Sequence, residues 1–377
     1  MGPQPLVDFA PVLRLALLAL VIALLPLSWV WLRQRGGSPT RRLAALTTLT
    51  LFLTFDLIVF GSFTRLSDSG LGCPDWPGCY GEASPLGARD EIHAAQTAMP
   101  SGPVTWSKAW IEMIHRYLAM TVGVLILVMA AVSWRERHRL PLSPWWPMLT
   151  LVWVIVQGLF GKYTVTLKLY PAIVTLHLLG GLALLALLAV QHEAFRQRPL
   201  VLPARQRRWV WAALAVLGVQ IALGGWVSTN YAVLACTGFP QCNGQWWPAM
   251  DAGHGFTLLR ELGMAGHGGL LHFEALVAIH MAHRLFALVA VAVLGLLAWR
   301  LWRAGEPVTR RFGVALAALL LAQLLSGLSN VVLGWPLAAA LAHSAGAAGL
   351  VLVLTLLLAR AASPRPAVQA LRATAAA

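Results

Sequence analysis

Four histidines lie inside long apolar segments, where an ionisable side chain is costly to bury and therefore marks a candidate functional site. They form two pairs, His115 with His177 and His283 with His343. At a helical rise of about 1.5 Å per residue, the members of each pair lie at similar depth. Two imidazoles at matched depth in one helical bundle are typical of six-coordinate haem ligation. The alternative for each is a neutral histidine hydrogen-bonded to nearby backbone. Structural zinc is less favoured, because no Cys or carboxylate completes a four-ligand set within these segments.

Charged side chains accompany the first histidine of each pair. Arg116 and Arg284 directly follow it, and a guanidinium near the membrane interface could bind haem propionates. An ion pair with a loop carboxylate, or snorkelling, is the alternative. Glu112 lies one turn before its histidine, whereas the second pair has His280 there. A carboxylate at only one of two sites suggests chemistry specific to that site, such as accepting a proton. An ion pair with Arg116 at i, i+4 is the alternative.

All four cysteines occur in two pairs with five intervening residues, Cys73 with Cys79 and Cys236 with Cys242. Both pairs lie in connections that are poor in Lys and Arg, which the positive-inside rule assigns to the periplasm. In an oxidising compartment these spacings predict two disulfides, each closing a small loop. Redox-active thiols that exchange with a partner are the alternative, above all for the first pair.

The composition predicts a membrane protein. Of the 377 residues, 58% are hydrophobic and 11% are charged, whereas soluble domains have roughly 25% charged residues. Nine apolar runs are long enough to span a bilayer as helices. They lie near residues 10–32, 44–65, 109–133, 145–166, 172–191, 209–229, 273–299, 312–333 and 338–359. The first run resembles a signal peptide, but it is long, contains Arg14 and lacks a convincing cleavage site, so we expect a membrane helix.

The net charge of +14 reflects membrane topology. Lys and Arg concentrate in alternate connections, which the positive-inside rule assigns to the cytoplasm. This predicts a multi-pass protein of the bacterial inner membrane, with a periplasmic N-terminus and a cytoplasmic C-terminus. Its general partner is the lipid bilayer. No nucleic-acid partner is expected, because no phosphate-binding glycine motif or interleaved basic and aromatic pattern occurs.

The chain contains an internal repeat. The cysteine pairs recur at a constant spacing, Gly61 aligns with Gly225, and Gln157-Gly158-Leu159 aligns with Ser326-Gly327-Leu328. The offsets stay between 163 and 169 residues. Each copy has an even number of spans, so this is a parallel repeat.

The predicted fold is therefore an all-α polytopic membrane protein: two tandem four-helix bundles related by a parallel pseudo-two-fold, plus an extra N-terminal helix. We divide the chain into five segments. Residues 1–43 form the extra helix and a linker, 44–191 the N-terminal bundle, 192–208 a cytoplasmic linker, 209–360 the C-terminal bundle, and 361–377 a cytoplasmic tail.

Several motifs resemble the haem A synthase family of cytochrome oxidase biogenesis. The resemblance covers about residues 44–360. It is carried by the run from Gly61 to Cys79 with its Cys73-Pro74-Asp75-Trp76-Pro77 segment, Glu112 to Arg116, Thr175-Leu176-His177, Asn230 to Cys236, His280 to Arg284, and Leu328 to Pro336. The extra helix and the long first outer loop depart from the family pattern.

The resemblance implies an enzyme that oxidises the C8 methyl of haem O to the formyl group of haem A. It implies that His283 and His343 ligate a resident haem b in the C-terminal half. In the N-terminal half, His115 and His177 would face the substrate haem, with Glu112 needed for turnover. Haem O synthase and cytochrome oxidase assembly proteins are the implied partners.

Two other functions compete with this one. A two-haem electron carrier between a quinol and an outer acceptor would need the paired histidines but no chemistry on the haem, and ligands on both sides of the membrane would favour it. A transporter or haem-delivery protein would suit a parallel repeat but would need neither Glu112 nor a stably bound haem.

Overall fold

The computed structural model describes residues 10–266 and 268–362, and it is all-helical in this part. Nine helices within this part are long and apolar enough to cross a membrane, so the predicted fold class is confirmed. They are α1 (Ala10–Arg33), α2 (Pro39–Leu66), α4 (Trp106–Arg135), α5 (Trp145–Thr166), α6 (Pro171–Arg196), α7 (Ala204–Thr229), α9 (Phe273–Trp302), α10 (Pro307–Val332) and α11 (Leu337–Ala362). The short helices α3 (Arg89–Ala98) and α8 (Ala252–Gly255) lie in the two long loops.

Several helices begin earlier than the apolar runs, because polar residues cap them. The Ser38 hydroxyl accepts from the Arg41 amide, and Pro39 occupies the first turn of α2. Thr105 caps α4 in the same way. Such caps satisfy backbone N–H groups that have no partner inside the helix. Hydropathy therefore located the spans but not their polar first turns.

Eight of the spanning helices, all except α1, form two rings of four in which each helix contacts its two neighbours. In the first ring α2 contacts α4 and α6, and α5 contacts the same two helices. In the second ring α7 contacts α9 and α11, and α10 contacts the same two. The rings share one order, and they meet through α2, α6, α7 and α11. We call the end with the cysteine loops the disulfide end and the opposite end the linker end.

Contacts across the two halves join residues that are 163 positions apart in the chain. Arg65 donates to the Ser228 carbonyl at 2.5 Å, and the Tyr231 hydroxyl donates to Asp68 at 2.6 Å. Burial raises the pKa of the Tyr231 phenol, which keeps the proton that this bond needs. Contacts between repeat-equivalent positions are what a two-fold axis between the halves produces, and they support the predicted boundaries, which stay a prediction.

At the linker end, one buried carboxylate ties the two halves together. Glu193 on α6 accepts from Arg198 at 2.7 Å and from Arg360 on α11 at 3.2 Å. The Arg360 carbonyl in turn accepts from the Leu200 amide. A buried charge is tolerated because it is paired in this way. Most of the predicted tail, residues 363–377, lies outside the described residues.

The extra helix α1 packs on α4 and α2. Leu15 is buried against Cys73, Cys79 and Ile92, and Arg14 forms an ion pair with Glu82 of the first long loop at 3.3 Å. The N-terminal end of α1 therefore lies at the disulfide end. The C-terminal half has no equivalent helix in the part that the structure describes.

We predict that Gly313→Ala destabilises the C-terminal half. An added Cβ at Gly313 would lie 2.5 Å from the backbone nitrogen of Trp302 and 2.9 Å from the Ala298 carbonyl oxygen, and backbone cannot rotate away. Overpacking typically costs about 1–3 kcal/mol. The measurement is the thermal midpoint of the protein in detergent. Gly218→Ala is the control, because no atom lies within 4 Å of its added Cβ. Equal midpoints for the two variants would contradict the prediction.

Candidate functional site

The first pair of imidazoles lies within the N-terminal ring, near the disulfide end. His115 of α4 packs over Gly61 of α2, where an added Cβ would lie 2.9 Å from the imidazole Cε1. Phe60 stacks nearly parallel to this imidazole, with ring centroids 6.4 Å apart. His177 of α6 faces Gly161 of α5 at 3.7 Å by the same measure. Glycines thus provide the space that both rings occupy.

The two imidazoles of this pair have unsatisfied nitrogen atoms. Nδ1 of His115 and Nδ1 of His177 are buried and have no hydrogen-bond partner within the described residues. Each of the two residues nevertheless remains partly exposed. Most buried polar atoms in proteins have a partner, so this pair has the chemistry of a site for an added ligand.

The second pair repeats the arrangement with different neighbours. His283 of α9 packs over Gly224 of α7, and His343 of α11 faces Gly327 of α10; the added Cβ atoms would lie 2.9 and 3.2 Å from the imidazole Cε1 atoms. Here both rings have polar partners. The Gln220 amide nitrogen lies 3.1 Å from His283 Nδ1, and the Ser326 hydroxyl lies 3.0 Å from His343 Nδ1.

These contacts correct the repeat alignment made from the sequence. Gly61 corresponds to Gly224 and not to Gly225, which instead packs on Thr175 and Leu178 at the interface between the halves. Gly161 corresponds to Gly327, three residues later than the predicted Gly158. The pair Gln157 and Gly180 likewise matches Gln323 and Gly346, in each case an amide against a glycine. Helices α5 and α6 are therefore both related to α10 and α11 by 166 residues.

Glu112 lies in a buried polar cluster beside the first pair. It is 4% exposed and forms an ion pair with Arg116, which is 9% exposed. The Cys73 amide donates to the Glu112 carboxylate at 2.8 Å. The ion pair was the alternative considered for this glutamate. It compensates the buried charge and leaves the carboxylate next to the cysteine loop.

The two arginines hold the cysteine loops, a role that the sequence analysis did not propose. Arg116 donates to three carbonyl oxygens of the first loop, those of Asp75, Pro77 and Gly78. Arg284 donates to the Cys236 carbonyl at 2.9 Å and the Gln241 carbonyl at 3.2 Å. A signal was present, since each arginine and each loop recur together in the repeat.

The cysteines form the two predicted disulfides, Cys73–Cys79 and Cys236–Cys242. His280, which replaces Glu112 in the second half, makes a different contact. Its Nδ1 lies 3.0 Å from the Ala232 carbonyl oxygen. His280 therefore donates a hydrogen bond to a backbone carbonyl, whereas Glu112 accepts one from a backbone amide.

The donor sets fit haem better than a free metal ion. Within the described residues, no group of three or more His, Cys, Asp or Glu could hold a metal ion. Haem iron needs only two axial ligands from the protein, because the porphyrin supplies the others. Each four-helix ring provides two histidines, and each histidine faces a glycine. These are the side chains that haem ligation requires.

The fold and the paired imidazoles define a polytopic helical membrane protein with two duplicated histidine sites. The chain belongs to the family of cytochrome oxidase assembly proteins (COX15-CtaA), whose model matches residues 44–355.

Three relatives, each named haem A synthase, show how far the similarity extends. The protein from Shewanella oneidensis is 38% identical over 318 residues, which are 83% of this chain and 94% of the relative. The protein from Caulobacter sp. (strain K31) is 30% identical, over 78% of this chain and 89% of the relative. The protein from Rhodospirillum centenum is 29% identical, over 86% and 88%.

We predict strong coupling between Glu112 and Arg116. Arg116→Met should destabilise the protein by about 3–5 kcal/mol, because it leaves a buried carboxylate without its partner. Glu112→Gln with Arg116→Met should lose less stability than Arg116→Met alone. Thermal midpoints of the single and double variants in detergent form the cycle. Strictly additive effects would show that the ion pair does not stabilise the fold.

Proposed function

We propose that this chain is a haem A synthase, a membrane oxidoreductase that converts haem O to haem A by oxidising its C8 methyl to a formyl group. Membership of the family and the names of the relatives support the proposal. The observation that carries it is the one-sided Glu112, a buried carboxylate beside only one of two otherwise matched histidine pairs.

In this proposal the N-terminal half, residues 44–191, binds the substrate haem O. His115 and His177 would face the iron, and the glycines beside both imidazoles support that role. Glu112 accepts protons as the methyl is oxidised. Oxidation of the methyl to the formyl group takes four electrons from the carbon and adds one oxygen atom, so it needs an electron acceptor and an oxygen donor in addition to haem O. The last intermediate is a hydrated aldehyde, which loses water to become the formyl group.

The C-terminal half, residues 209–360, would hold a resident haem b through His283 and His343. That group, when bound, supplies one-electron redox chemistry and can exchange electrons with the substrate site. The Arg284 Nε is buried and has no hydrogen-bond partner in the described part of the chain. Arg284 is therefore free to donate to a propionate while its other nitrogens hold the second cysteine loop.

Arg116 has a weaker case as a propionate ligand. Its two terminal nitrogens already serve Glu112 and three loop carbonyls. We therefore propose that Arg116 acts at the substrate site mainly by positioning Glu112, and that direct binding of the substrate haem is secondary.

The setting of the enzyme follows from the same proposal. The basic connections support an orientation with the linker end in the cytoplasm and the disulfide end in the periplasm of a bacterial inner membrane. Haem O carries an apolar tail suited to entry from the bilayer. A haem O synthase that supplies it and cytochrome oxidase assembly proteins that receive the product are the proposed partners.

The rival electron carrier is less well supported by the geometry. All four imidazoles lie within about three helical turns of the disulfide end. Two haems in one leaflet do not form a path across the membrane, and a carrier has no use for Glu112.

We expect Glu112→Gln to abolish turnover while leaving haem b bound. Glutamine matches glutamate in size, and its single amide oxygen can still accept one of the two hydrogen bonds, from Arg116 or from the Cys73 amide. Because glutamine cannot accept a proton, conversion of haem O should fall by about 10²–10⁴-fold. Pigment extraction after incubation with haem O measures the product, and the spectrum of the purified protein measures bound haem b. Glu136→Gln, at the linker end of the same helix, is the control. Normal conversion by Glu112→Gln would remove Glu112 from the mechanism.

We expect His283→Ala to abolish the low-spin haem b spectrum, because one of two axial ligands is lost. The exposed His138 provides the control, and His138→Ala should keep the spectrum of the unchanged protein. The measurement is the reduced-minus-oxidised absorbance spectrum at equal protein concentration. A retained low-spin spectrum in His283→Ala would show that the axial assignment is wrong.

A further inference from the structure

The two histidine pairs differ in whether the Nδ1 atom of the second imidazole has a hydrogen-bond partner. In the second half, His343 Nδ1 lies 3.0 Å from the Ser326 hydroxyl. In the first half, the corresponding His177 Nδ1 is buried and has no partner within the described residues. The offset of 166 residues places Phe160 where the second half has Ser326, so the first half has no hydroxyl there.

The remaining bonds of Ser326 determine which atom donates. Its hydroxyl donates to the Ala322 carbonyl, one turn earlier in α10, at 2.7 Å. With its only proton committed there, the Ser326 oxygen is left to accept. The proton between Ser326 and His343 then belongs to the imidazole Nδ1, and Nε2 carries a free lone pair. This is the tautomer that binds iron through Nε2.

The backbone of His343 is held as well. Its carbonyl oxygen accepts from the Gln323 side-chain amide at 2.8 Å, and Gly327 leaves the space next to the ring. Ring and backbone are thus both bonded to α10. A ligand that is oriented before the metal arrives binds more tightly, and losing such a partner typically costs 10–100-fold in metal affinity.

We propose that Ser326 is a positioning residue that fixes His343 as a permanent axial ligand, whereas Phe160 leaves His177 an exchangeable one. The inference rests on the proposed haem b site and adds a physical reason why one half retains its haem and the other releases it. Exchange suits a substrate site, because the product must leave after each reaction cycle.

The test compares Ser326→Ala with Ser329→Ala in the purified full-length protein. Ser329 is the matched control, because it lies one turn further along α10, is partly exposed like Ser326, and its hydroxyl donates to the Leu325 carbonyl of its own helix. Ser326→Ala should lose haem b to apomyoglobin at least about 10-fold faster. Its midpoint potential should rise, since a less electron-rich imidazole stabilises ferric iron less. Ser329→Ala should match the unchanged protein in both measurements.

Two further variants separate a positioning role from a packing role. Ser326→Thr keeps a hydroxyl and should restore the potential, whereas mere loss of packing would not follow the hydroxyl. Phe160→Ser should raise the haem that the N-terminal half retains through purification, measured as haem per chain. Unchanged potential and haem loss in Ser326→Ala would overturn the inference.

The same preparations distinguish the failure of this inference from the failure of the proposed function. If His283→Ala loses the low-spin haem while Ser326→Ala behaves as the unchanged protein, only the role of Ser326 is wrong. If His283→Ala and His343→Ala both retain the low-spin haem, the proposed haem b site itself is wrong, and the inference is overturned with it.

Discussion

An imidazole inside a membrane bundle cannot form hydrogen bonds with water, and the packing of the helices around each site depends on this constraint. An unsatisfied polar group in such surroundings costs a few kcal/mol. Helices must therefore approach closely enough to enclose each ring and leave room for a ligand to complete it. The glycines that face the four imidazoles meet both demands. Each imidazole and the glycine that faces it come from two different helices. Each site therefore depends on how its four helices pack.

Duplication supplied one frame, and a few substitutions made the two sites different. The imidazoles, the glycines, the loop-holding arginines and the disulfides recur in both halves. The two halves differ at two equivalent positions: Glu112 corresponds to His280, and Phe160 corresponds to Ser326. The first difference places an acid beside one site, and the second places a proton acceptor beside the other. In the proposed function, these two differences assign the chemistry to the first half and the stable binding of haem to the second.

The sequence was sufficient for the fold class and for the nine spans in the described part of the chain, since these follow from the length of the apolar runs. It was not sufficient for the register of the repeat. Gly224 and Gly225 are adjacent, and only packing shows that the first of them faces His283. In α5 and α10 the identity of neighbouring residues favoured Gly158, whereas the contact to histidine belongs to Gly161. The loop-holding role of Arg116 was missed because its partners in the loop are backbone carbonyls, and the recurrence of arginine and loop in the repeat was the signal that could have indicated it.

The first cysteine loop is part of the site and not an appendage. Its backbone at Gly72 lies in direct contact with Lys108 at the start of α4, and its Cys73 amide donates to Glu112. Thiol exchange requires access to a sulfur, yet Cys73 and Cys79 are both 0% exposed. In this conformation the bridge therefore acts structurally: it fixes the amide that orients the carboxylate, while Arg116 fixes the loop to the same helix. The position of Glu112 consequently depends on an intact first cysteine loop.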